Sequence, residues 1–321
     1  MTSPASGPGA ATRAESENLN GLTVSVVVCT RHRAAKLREC LAGVRRLSPA
    51  PADVLVVDNS AGDEGTRQAA AEAGARYTVE PIAGLSRARN KGMAECTSEI
   101  VAYLDDDAIP DVRWLEYLIE PFAASNVGAV TGRVRTPDSR PTAAAENESR
   151  MVSNQDEHWF EIATFGGLGL GSNMALRRSA CPAGSLFDER LGRGAPFQIA
   201  EESYAFAVIL SRGYRAAYTA RAIVDHPPMR RGSLEQEARN SLTYWLLLFS
   251  EFPGRRLDLL RFLLRRLRRK PLTWPRDPQG PGEIVSAGWG LKLKAGWTGL
   301  LLFLRTPKAT KKAREEKPQA R

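Results

Sequence analysis

The feature that most constrains this chain is an alternation of short hydrophobic runs with longer amphipathic segments in its first third. The run TVSVVVCT is rich in β-branched residues, as is typical of a strand, and the segment after it places Leu37, Leu41 and Val44 at helical spacing. Similar apolar runs, ADVLVVDNS and EIVAYL, follow at intervals. Continuous apolar strands that alternate with helices are typical of a sheet covered on both faces, so we predict an α/β, doubly wound, mostly parallel sheet flanked by helices.

The same criteria predict further strands and helices, followed by a basic helical extension near the C-terminus. Strands are predicted at ARYTVE, HWFEIATF, SNMALRR and YRAAYTARAIVDH, the last as one or two strands. Helices are predicted at GDEGTRQAAAEAG, LSRARNKGMAEC, PDVRWLEYLIEPF and EESYAFAVILSRG. Residues 1–21 are predicted to be disordered, residues 22–234 to form one α/β domain, and residues 235–321 a basic helical extension with a proline-rich linker at 271–283.

Composition narrows the cellular setting. The chain contains 4 cysteines and 3 histidines. The cysteines lie far apart without a CxxC pair, which indicates neither a zinc site nor a disulfide framework and fits a reducing cytosol. No run reaches the roughly 18 apolar residues that a spanning helix needs, and the N-terminus lacks the apolar centre of a signal peptide.

The net charge of +9 is concentrated at one end of the chain. Residues 255–321 hold 18 Lys/Arg and 5 Asp/Glu, a net of +13, so the preceding 254 residues carry −4. A slightly acidic body with a basic extension indicates a negatively charged partner for the extension alone. The SRARNKG segment has no interleaved aromatic residues, so nucleic acid is not expected as a partner.

The basic extension also contains an amphipathic segment, RRLDLLRFLLRRLRRK. Helical spacing segregates its leucines from most of its arginines. The leucines are Leu257, Leu260, Leu264 and Leu267, and the arginines are Arg261, Arg265, Arg268 and Arg269. Two interpretations remain open: the segment contacts an anionic membrane surface, or its leucine face packs on the body while the arginines are solvated.

Three consecutive carboxylates, Asp105, Asp106 and Asp107, directly follow the apolar run EIVAYL. Adjacent like charges repel one another unless a positive charge lies among them. A solvated turn is one explanation, because Asp is common in turns. The carboxyl end of a central strand is, however, where open α/β sheets bind ligands. The triplet therefore indicates a ligand-binding site.

Four motifs follow one another along the chain. CTRHR, VVDNS and LDDDAIP lie at the ends of predicted strands, and AEES lies at the start of a predicted helix. GLSRARNKG precedes the third motif and GSNMALRR precedes the fourth. Together they resemble the family 2 glycosyltransferases, whose nucleotide-binding domain has the mixed α/β fold called GT-A, and the resemblance covers about residues 24–226. The resemblance implies an inverting, metal-dependent transfer of a sugar from a nucleotide-diphosphate donor to a hydroxyl acceptor. It also implies a nucleotide-binding half at 22–135 and an acceptor half at 136–234.

The resemblance implies roles for particular residues. A divalent cation, Mn²⁺ or Mg²⁺, would neutralise the diphosphate leaving group. Asp107 and Asp105 would hold this cation, with His226 as a third ligand. His226 could equally be a structural residue at a strand end. The residues implied to contact the nucleotide or its phosphates are Thr30, Arg31, Asp58, Arg89, Asn90, Asp105 and Asp106.

An inverting transfer also needs a general base for the acceptor hydroxyl. The family places an acidic pair, usually Glu-Asp, at the start of a helix, and here the pair is Glu201-Glu202. The second position of the motif implies Glu202 as the base, with Glu201 as the alternative. Taken without the other motifs, both acids could simply favour a helix N-terminus electrostatically.

The implied acceptor is lipid-linked or part of a cell-surface glycan such as a cell-envelope polysaccharide. The expected location is cytoplasmic, peripheral to the inner face of the cell membrane. Two other functions remain open. A nucleotidyltransferase of related fold would share the metal carboxylates, although TVSVVVCTRHRAAKL lacks the glycine-rich loop that such enzymes usually carry. A non-catalytic protein would use the basic extension to bind membrane or nucleic acid.

Overall fold

A computed structural model describes residues 21–137, 148–183, 185–228, 233–267 and 289–307. In these ranges nine strands form one sheet. The strands are β1 (Val24–Thr30), β2 (Asp53–Asp58), β3 (Arg76–Val79), β4 (Ile100–Asp105), β5 (Ile109–Pro110), β6 (Val127–Arg135), β7 (Ser149–Val152), β8 (Asn173–Arg177) and β9 (Arg215–Asp225). The helices are α1 (Ala34–Val44), α2 (Glu64–Glu72), α3 (Leu85–Glu95), α4 (Trp114–Ile119), α5 (Trp159–Thr164), α6 (Glu201–Ser211), α7 (Leu234–Glu251), α8 (Arg256–Leu267) and α9 (Trp289–Arg305).

The strand order is β3-β2-β1-β4-β8-β6-β9-β5, and β7 also pairs with β9. The first four strands are mutually parallel, as the alternation of strands and helices predicts. β8 lies antiparallel between β4 and β6, while β6 and β9 are parallel. The predicted α/β fold is confirmed, with β8 joining the two parallel parts of a mixed sheet.

Two hydrophobic cores cover the two faces of this sheet. One core includes Leu37 of α1 and Trp114 of α4, both fully buried. The opposite core includes Ala88 of α3 and Tyr204 of α6. Alternate residues of each strand face opposite cores, because side chains alternate along a strand. The second face, which we call the α3/α6 face, carries the acidic pair of α6.

The segment HWFEIATF was predicted as a strand, and that prediction is wrong: it contains helix α5. All six residues of α5 are buried, so the segment lacks the one-sided apolar pattern by which a helix is recognised in sequence. Its aromatic residues favoured a strand. In the fold, Trp159 and Phe160 pack together edge to face, and Phe160 also contacts Phe252.

The C-terminal helices pack on the α/β body. Leu247 and Leu248 of α7 are buried in the core of the α3/α6 face. Residues 1–20 of the segment predicted to be disordered, residues 138–147 and the predicted linker at 271–283 lie outside the described residues. In the described part of the chain, no helix is both long enough and apolar enough to cross a membrane.

Helix α8 contacts the body through a different face from the leucine face defined above. Leu259 is buried, and the ring of Phe262 stacks on that of Phe165 with centroids 4.3 Å apart. Leu257 and Leu264, by contrast, are 67% and 53% exposed. The interpretation in which the leucine face packs on the body is therefore wrong for the described part of α8.

Candidate active site

The three aspartates lie at the carboxyl edge of the sheet, where β4 ends. Asp105 pairs in register with Cys29 of β1, and the next residue of β1, Thr30, pairs with Asp58 of β2. Three of the sequence motifs thus meet at one edge because the strands that precede them are parallel neighbours. The end of β9 brings His226 to the same edge.

Asp105, Asp107 and His226 form a compact group of potential metal ligands. The Nε2 atom of His226 lies 3.2 Å from Asp107 Oδ1 and 3.7 Å from Asp105 Oδ2. One potential ligand atom from each residue lies within 4.8 Å of the others. His226 Nδ1 is 2.6 Å from the carbonyl oxygen of Pro227, which orients the ring and leaves Nε2 facing the carboxylates. Two carboxylates and an oriented imidazole fit a divalent cation such as Mn²⁺ or Mg²⁺.

The charges of this group hold one another in ionised form. Burial alone lowers the pKa of His226, but the two aspartates outweigh it and raise that pKa to about 10. Burial raises the pKa of Asp107, but His226 and Arg33 reverse the effect and hold it well below its usual range. The imidazolium and guanidinium thus supply the positive charge that adjacent carboxylates require, and a bound cation would take the place of the imidazolium proton.

Asp106 faces away from this group, toward Thr30 and Arg33. It is 4% exposed and accepts hydrogen bonds from Thr30 Oγ1 at 2.7 Å and from Arg33 Nη1 at 2.6 Å. Burial raises the pKa of Asp106 to about 6. Arg33 also pairs with Asp107, a role that sequence reasoning missed, whereas Arg31 of the same motif is exposed. The CTRHR motif contains both arginines, but the two aspartates that Arg33 meets lie more than 70 residues away in the sequence.

Asp58 organises the loop that follows β2. Its carboxylate accepts hydrogen bonds from the backbone N–H groups of Ser60 and Asp63 and from the hydroxyls of Ser60 and Tyr77. A carboxylate offers about four lone-pair positions, so protein donors already occupy them all. The side chain of Asn59 also forms hydrogen bonds with backbone groups of Glu80, Ile82 and Gly84.

Arg89 connects the aspartates with the acidic pair of α6. Arg89 is 2% exposed, with Nη1 2.8 Å from Glu201 Oε1 and Nη2 3.4 Å from Asp105 Oδ1. Nη2 also donates to the carbonyl of Gly171. A Cβ at Gly171 would lie only 2.7 Å from Arg89 Nη1, so this glycine of the GGLGLG segment permits the close approach.

Asn90, the neighbour of Arg89, ties α3 to the chain beyond β8. Its Nδ2 donates to Ser185 Oγ and to the Phe187 carbonyl, both at 2.8 Å, and its Oδ1 accepts from the Phe187 N–H. The structure therefore places the side chains of Arg89 and Asn90 in contact with the protein itself.

The two glutamates of the acidic pair differ in their surroundings. Glu201 is 7% exposed and bound to Arg89. Glu202 is partly buried, and no described side chain forms a hydrogen bond or ion pair with its carboxylate. Burial, followed by the charge of Glu201, raises the pKa of Glu202 to about 8. Ala200, which precedes the pair, has a φ of 59°, a left-handed conformation that is uncommon for alanine and sets the start of α6.

Known proteins resemble this chain in sequence. Residues 25–183 match the family described as Glycosyl transferase family 2. Succinoglycan biosynthesis protein ExoM of Rhizobium meliloti is 30% identical over 253 residues, which cover 73% of this chain and 78% of that protein. A pre-mycofactocin glycosyltransferase of Mycobacterium tuberculosis strain H37Rv is 34% identical over 116 residues, 35% of this chain. That match spans only 23% of the relative's length.

A solved structure shows the same fold. The mannosyltransferase from Pyrobaculum calidifontis in complex with GDP-Man and Mn²⁺ is 20% identical, with a TM-score of 0.51, and the match covers 71% of this chain and 64% of that one. The mixed sheet with its acidic edge thus has the architecture of the GT-A glycosyltransferases. The chain belongs to glycosyl transferase family 2, and the resemblance on which its site residues were predicted is confirmed at the level of the family.

Proposed function

We propose that this glycosyltransferase moves a sugar, with inversion, from a nucleotide-diphosphate donor to a hydroxyl acceptor, and that Glu202 is the general base. One observation carries the proposal: Glu202 has a raised pKa and no protein partner among the described side chains, beside a glutamate that Arg89 links to Asp105. A base needs a free carboxylate whose pKa lies near the working pH. Glu201 is already bound, which favours Glu202 over its neighbour.

Asp105, Asp107 and His226 would hold the divalent cation. When bound, the cation supplies positive charge to the diphosphate leaving group. Arg33 fixes the Asp107 carboxylate from the opposite side, and Arg89 does the same for Asp105. These contacts hold both carboxylates in place before a ligand arrives.

We assign the nucleotide to the cleft at the ends of β1 and β2, within the nucleotide-binding half at 22–135. Asp106 and Thr30 form its wall, and Asp58 shapes the loop at its edge. A ligand hydroxyl that bonds to Asp58 would replace one of the present donors. Arg31 is exposed and can approach a phosphate or base without breaking a protein contact. Arg89 and Asn90, which donate to the carbonyls of Gly171 and Phe187, would support this site by holding the backbone around it.

The acceptor half, at 136–234, lies beside this cleft and includes α6. ExoM is named for succinoglycan biosynthesis, which supports an acceptor that is part of a cell-envelope polysaccharide. We include a lipid-linked form of such an acceptor, because α8 exposes both apolar and basic side chains. On α8, Leu257 and Leu264 are exposed, and the Arg261 side chain is 68% exposed. Such a surface suits the anionic inner face of the cell membrane, with the protein on the cytoplasmic side.

The proposal is tested with the donor alone. Water in the place of the acceptor would give a slow hydrolysis of the donor, and ¹H NMR of that reaction would report the stereochemistry of the first product. An α-linked donor should release the β-anomer before mutarotation, only with Mn²⁺ or Mg²⁺ present. Early release of the α-anomer, or hydrolysis at an equal rate in EDTA, would contradict the proposal.

Membership of a glycosyltransferase family decides against the two other functions. Neither a nucleotidyltransferase nor a non-catalytic binding protein accounts for the match of residues 25–183 to the family described as Glycosyl transferase family 2.

A further inference from the structure

A buried tyrosine of α7 carries a hydroxyl group without a partner. Tyr244 is 3% exposed, and its hydroxyl oxygen is inaccessible to solvent and forms no hydrogen bond in the described part of the chain. Its ring packs edge to face against that of Phe165, with centroids 6.3 Å apart, in the core of the α3/α6 face. This packing accounts for the ring but not for the hydroxyl. Buried hydroxyls are normally hydrogen-bonded, so this one calls for an explanation.

Helix α7 crosses the start of α6. Near the beginning of α7, Gln236 Nε2 donates to Oε1 of Gln198, just ahead of α6, at 3.2 Å. At the end of α7, the ring of Phe252 packs against that of Tyr204 in the first turn of α6, with centroids 5.6 Å apart. Tyr244 lies eight residues from each of these two contacts. It therefore lies opposite the start of α6, where the acidic pair begins the helix.

The charges of the acidic pair act on this hydroxyl. Burial raises the pKa of Tyr244 well above its usual value, and the charges of Glu202 and then Glu201 raise it further. The hydroxyl therefore keeps its proton over the pH range in which glutamates titrate, and it can donate a hydrogen bond. Glu201 already accepts from Arg89, whereas Glu202 has no partner among the described side chains. The start of α6 thus brings together an unpaired donor and an unpaired acceptor.

We propose that Tyr244 is a positioning residue for Glu202, whose ionised carboxylate accepts a hydrogen bond from the Tyr244 hydroxyl directly or through one buried water. The inference rests on the proposed function, because it assigns a partner to the proposed base. Hydrogen bonds to an ionised acceptor are stronger than neutral ones, so the contact favours the charged form that a base requires. Bonding at one carboxylate oxygen leaves the other free for the acceptor hydroxyl.

The inference fixes the direction in which the pKa of Glu202 changes when the hydroxyl is removed. Tyr244→Phe keeps the ring and deletes the donor, so the carboxylate loses stabilisation and the pKa of Glu202 should rise. If Tyr244 only fills the core, the pKa stays unchanged, or it falls toward that of an ordinary glutamate where looser packing admits water. The other charged groups that act on Glu202 are Glu201, Arg89 and Asp105, and the substitution leaves all three in place.

The experiment measures the pKa of Glu202 in the full chain by ¹³C NMR titration of protein labelled at its glutamate carboxyls. The resonance of Glu202 is the one that is absent from Glu202→Gln. Tyr214→Phe is the matched control, because it removes a hydroxyl that donates to the carbonyl of Ser179, beyond the C-terminal end of α6. Circular dichroism and melting curves establish that Tyr244→Phe and Tyr214→Phe are folded.

We expect Tyr244→Phe to raise the pKa of Glu202 by about one pH unit and Tyr214→Phe to leave it at the wild-type value. An unchanged or lower pKa in Tyr244→Phe, or an equal rise in both variants, would overturn the inference. The pH at which turnover of a sugar nucleotide reaches half its maximum should rise with the pKa of Glu202. If the pKa rises while the pH profile of turnover stays in place, the contact exists but Glu202 is not the base, and the proposed function fails alone.

Discussion

Arg89 and Glu201 form a buried ion pair, with 2.8 Å between Nη1 and Oε1, that joins α3 to α6. The same guanidinium reaches Asp105 at the end of β4. One side chain therefore sets the position of the acidic pair relative to the candidate metal group. It also engages Glu201 and so leaves Glu202 as the carboxylate of the pair without a described partner.

Replacing Arg89 should be costly for stability. Arg89→Met leaves Glu201 buried without its cation, and breaking a buried ion pair typically costs about 3–5 kcal/mol. Urea denaturation measures the free energy of unfolding. Arg113→Met is the control, because the exposed pair of Arg113 and Glu116 should contribute less than about 1 kcal/mol. Similar losses of unfolding free energy in both variants would show that the buried pair contributes no more to stability than the exposed pair.

Glu202→Gln should impair transfer far more than donor binding. The substitution keeps the size of the side chain but removes the proton acceptor, and general-base contributions are typically about 10²–10⁴-fold in rate. Turnover of a sugar nucleotide and the Kd of the donor are measured in parallel. Glu201→Gln is the matched comparison. If that variant loses turnover while Glu202→Gln stays active, Glu201 is the base.

The raised pKa of Glu202 predicts a pH-dependent difference in stability. The folded chain holds the Glu202 proton up to about pH 8, whereas an ordinary glutamate ionises near 4.5. Ionisation therefore opposes folding between these values, and wild type should lose stability relative to Glu202→Gln as pH rises from 5 to 8. Melting temperatures across this range provide the test. Glu116→Gln is the control: it should not gain stability relative to wild type as pH rises, because Arg113 lowers the pKa of Glu116.

Asp107→Asn should remove metal-dependent donor binding without unfolding the protein. Even an outer-shell partner of a metal ligand typically contributes about 10–100-fold to affinity, so loss of a proposed ligand should weaken Mn²⁺ binding by at least that factor. Calorimetry with Mn²⁺ measures the change. The control is Asp53→Asn, since Asp53 pairs with Arg76 at the amino end of β2. Wild-type Mn²⁺ affinity in Asp107→Asn would remove Asp107 from the site.

The exposed leucines of α8 should govern attachment to anionic vesicles. Changing Leu257, Leu260 and Leu264 together to Gln should reduce co-sedimentation at low salt, while high salt should release the wild type because charge is screened within about 10 Å at 0.1 M. These side chains are exposed, so the fold should be retained. Ile82→Gln, another exposed apolar position, is the control. A wild type that stays in the supernatant at low salt excludes the membrane interpretation.

The strands of the first half were predictable because each is a continuous apolar run that ends in polar residues. β1, β2 and β4 satisfy this pattern, and their parallel order places their ends together. α5 was missed because it is short and buried on all sides. β8 was predicted as a strand, but its antiparallel insertion depends on pairing between distant segments that a single sequence does not reveal.

Within the site, residue types were easier to predict than contacts. The acid triplet and His226 were recognisable from the strand ends that carry them. The contact of Arg33 with Asp106 and Asp107 and the burial of Arg89 between Asp105 and Glu201 arise from tertiary packing. The resemblance implied that Asp58 contacts a ligand. In the structure its carboxylate accepts hydrogen bonds from Asp63 and Tyr77 instead.

The position of His226 in the chain has a consequence for biosynthesis. Asp105 and Asp107 leave the ribosome with β4, whereas His226 follows 119 residues after Asp107. At about 5–20 residues per second, that interval lasts about 6–24 s. During this time a nascent chain can assemble the four parallel strands but has no third member of the metal group. The candidate metal group is therefore completed late in translation, after the strands that precede its aspartates have had time to fold.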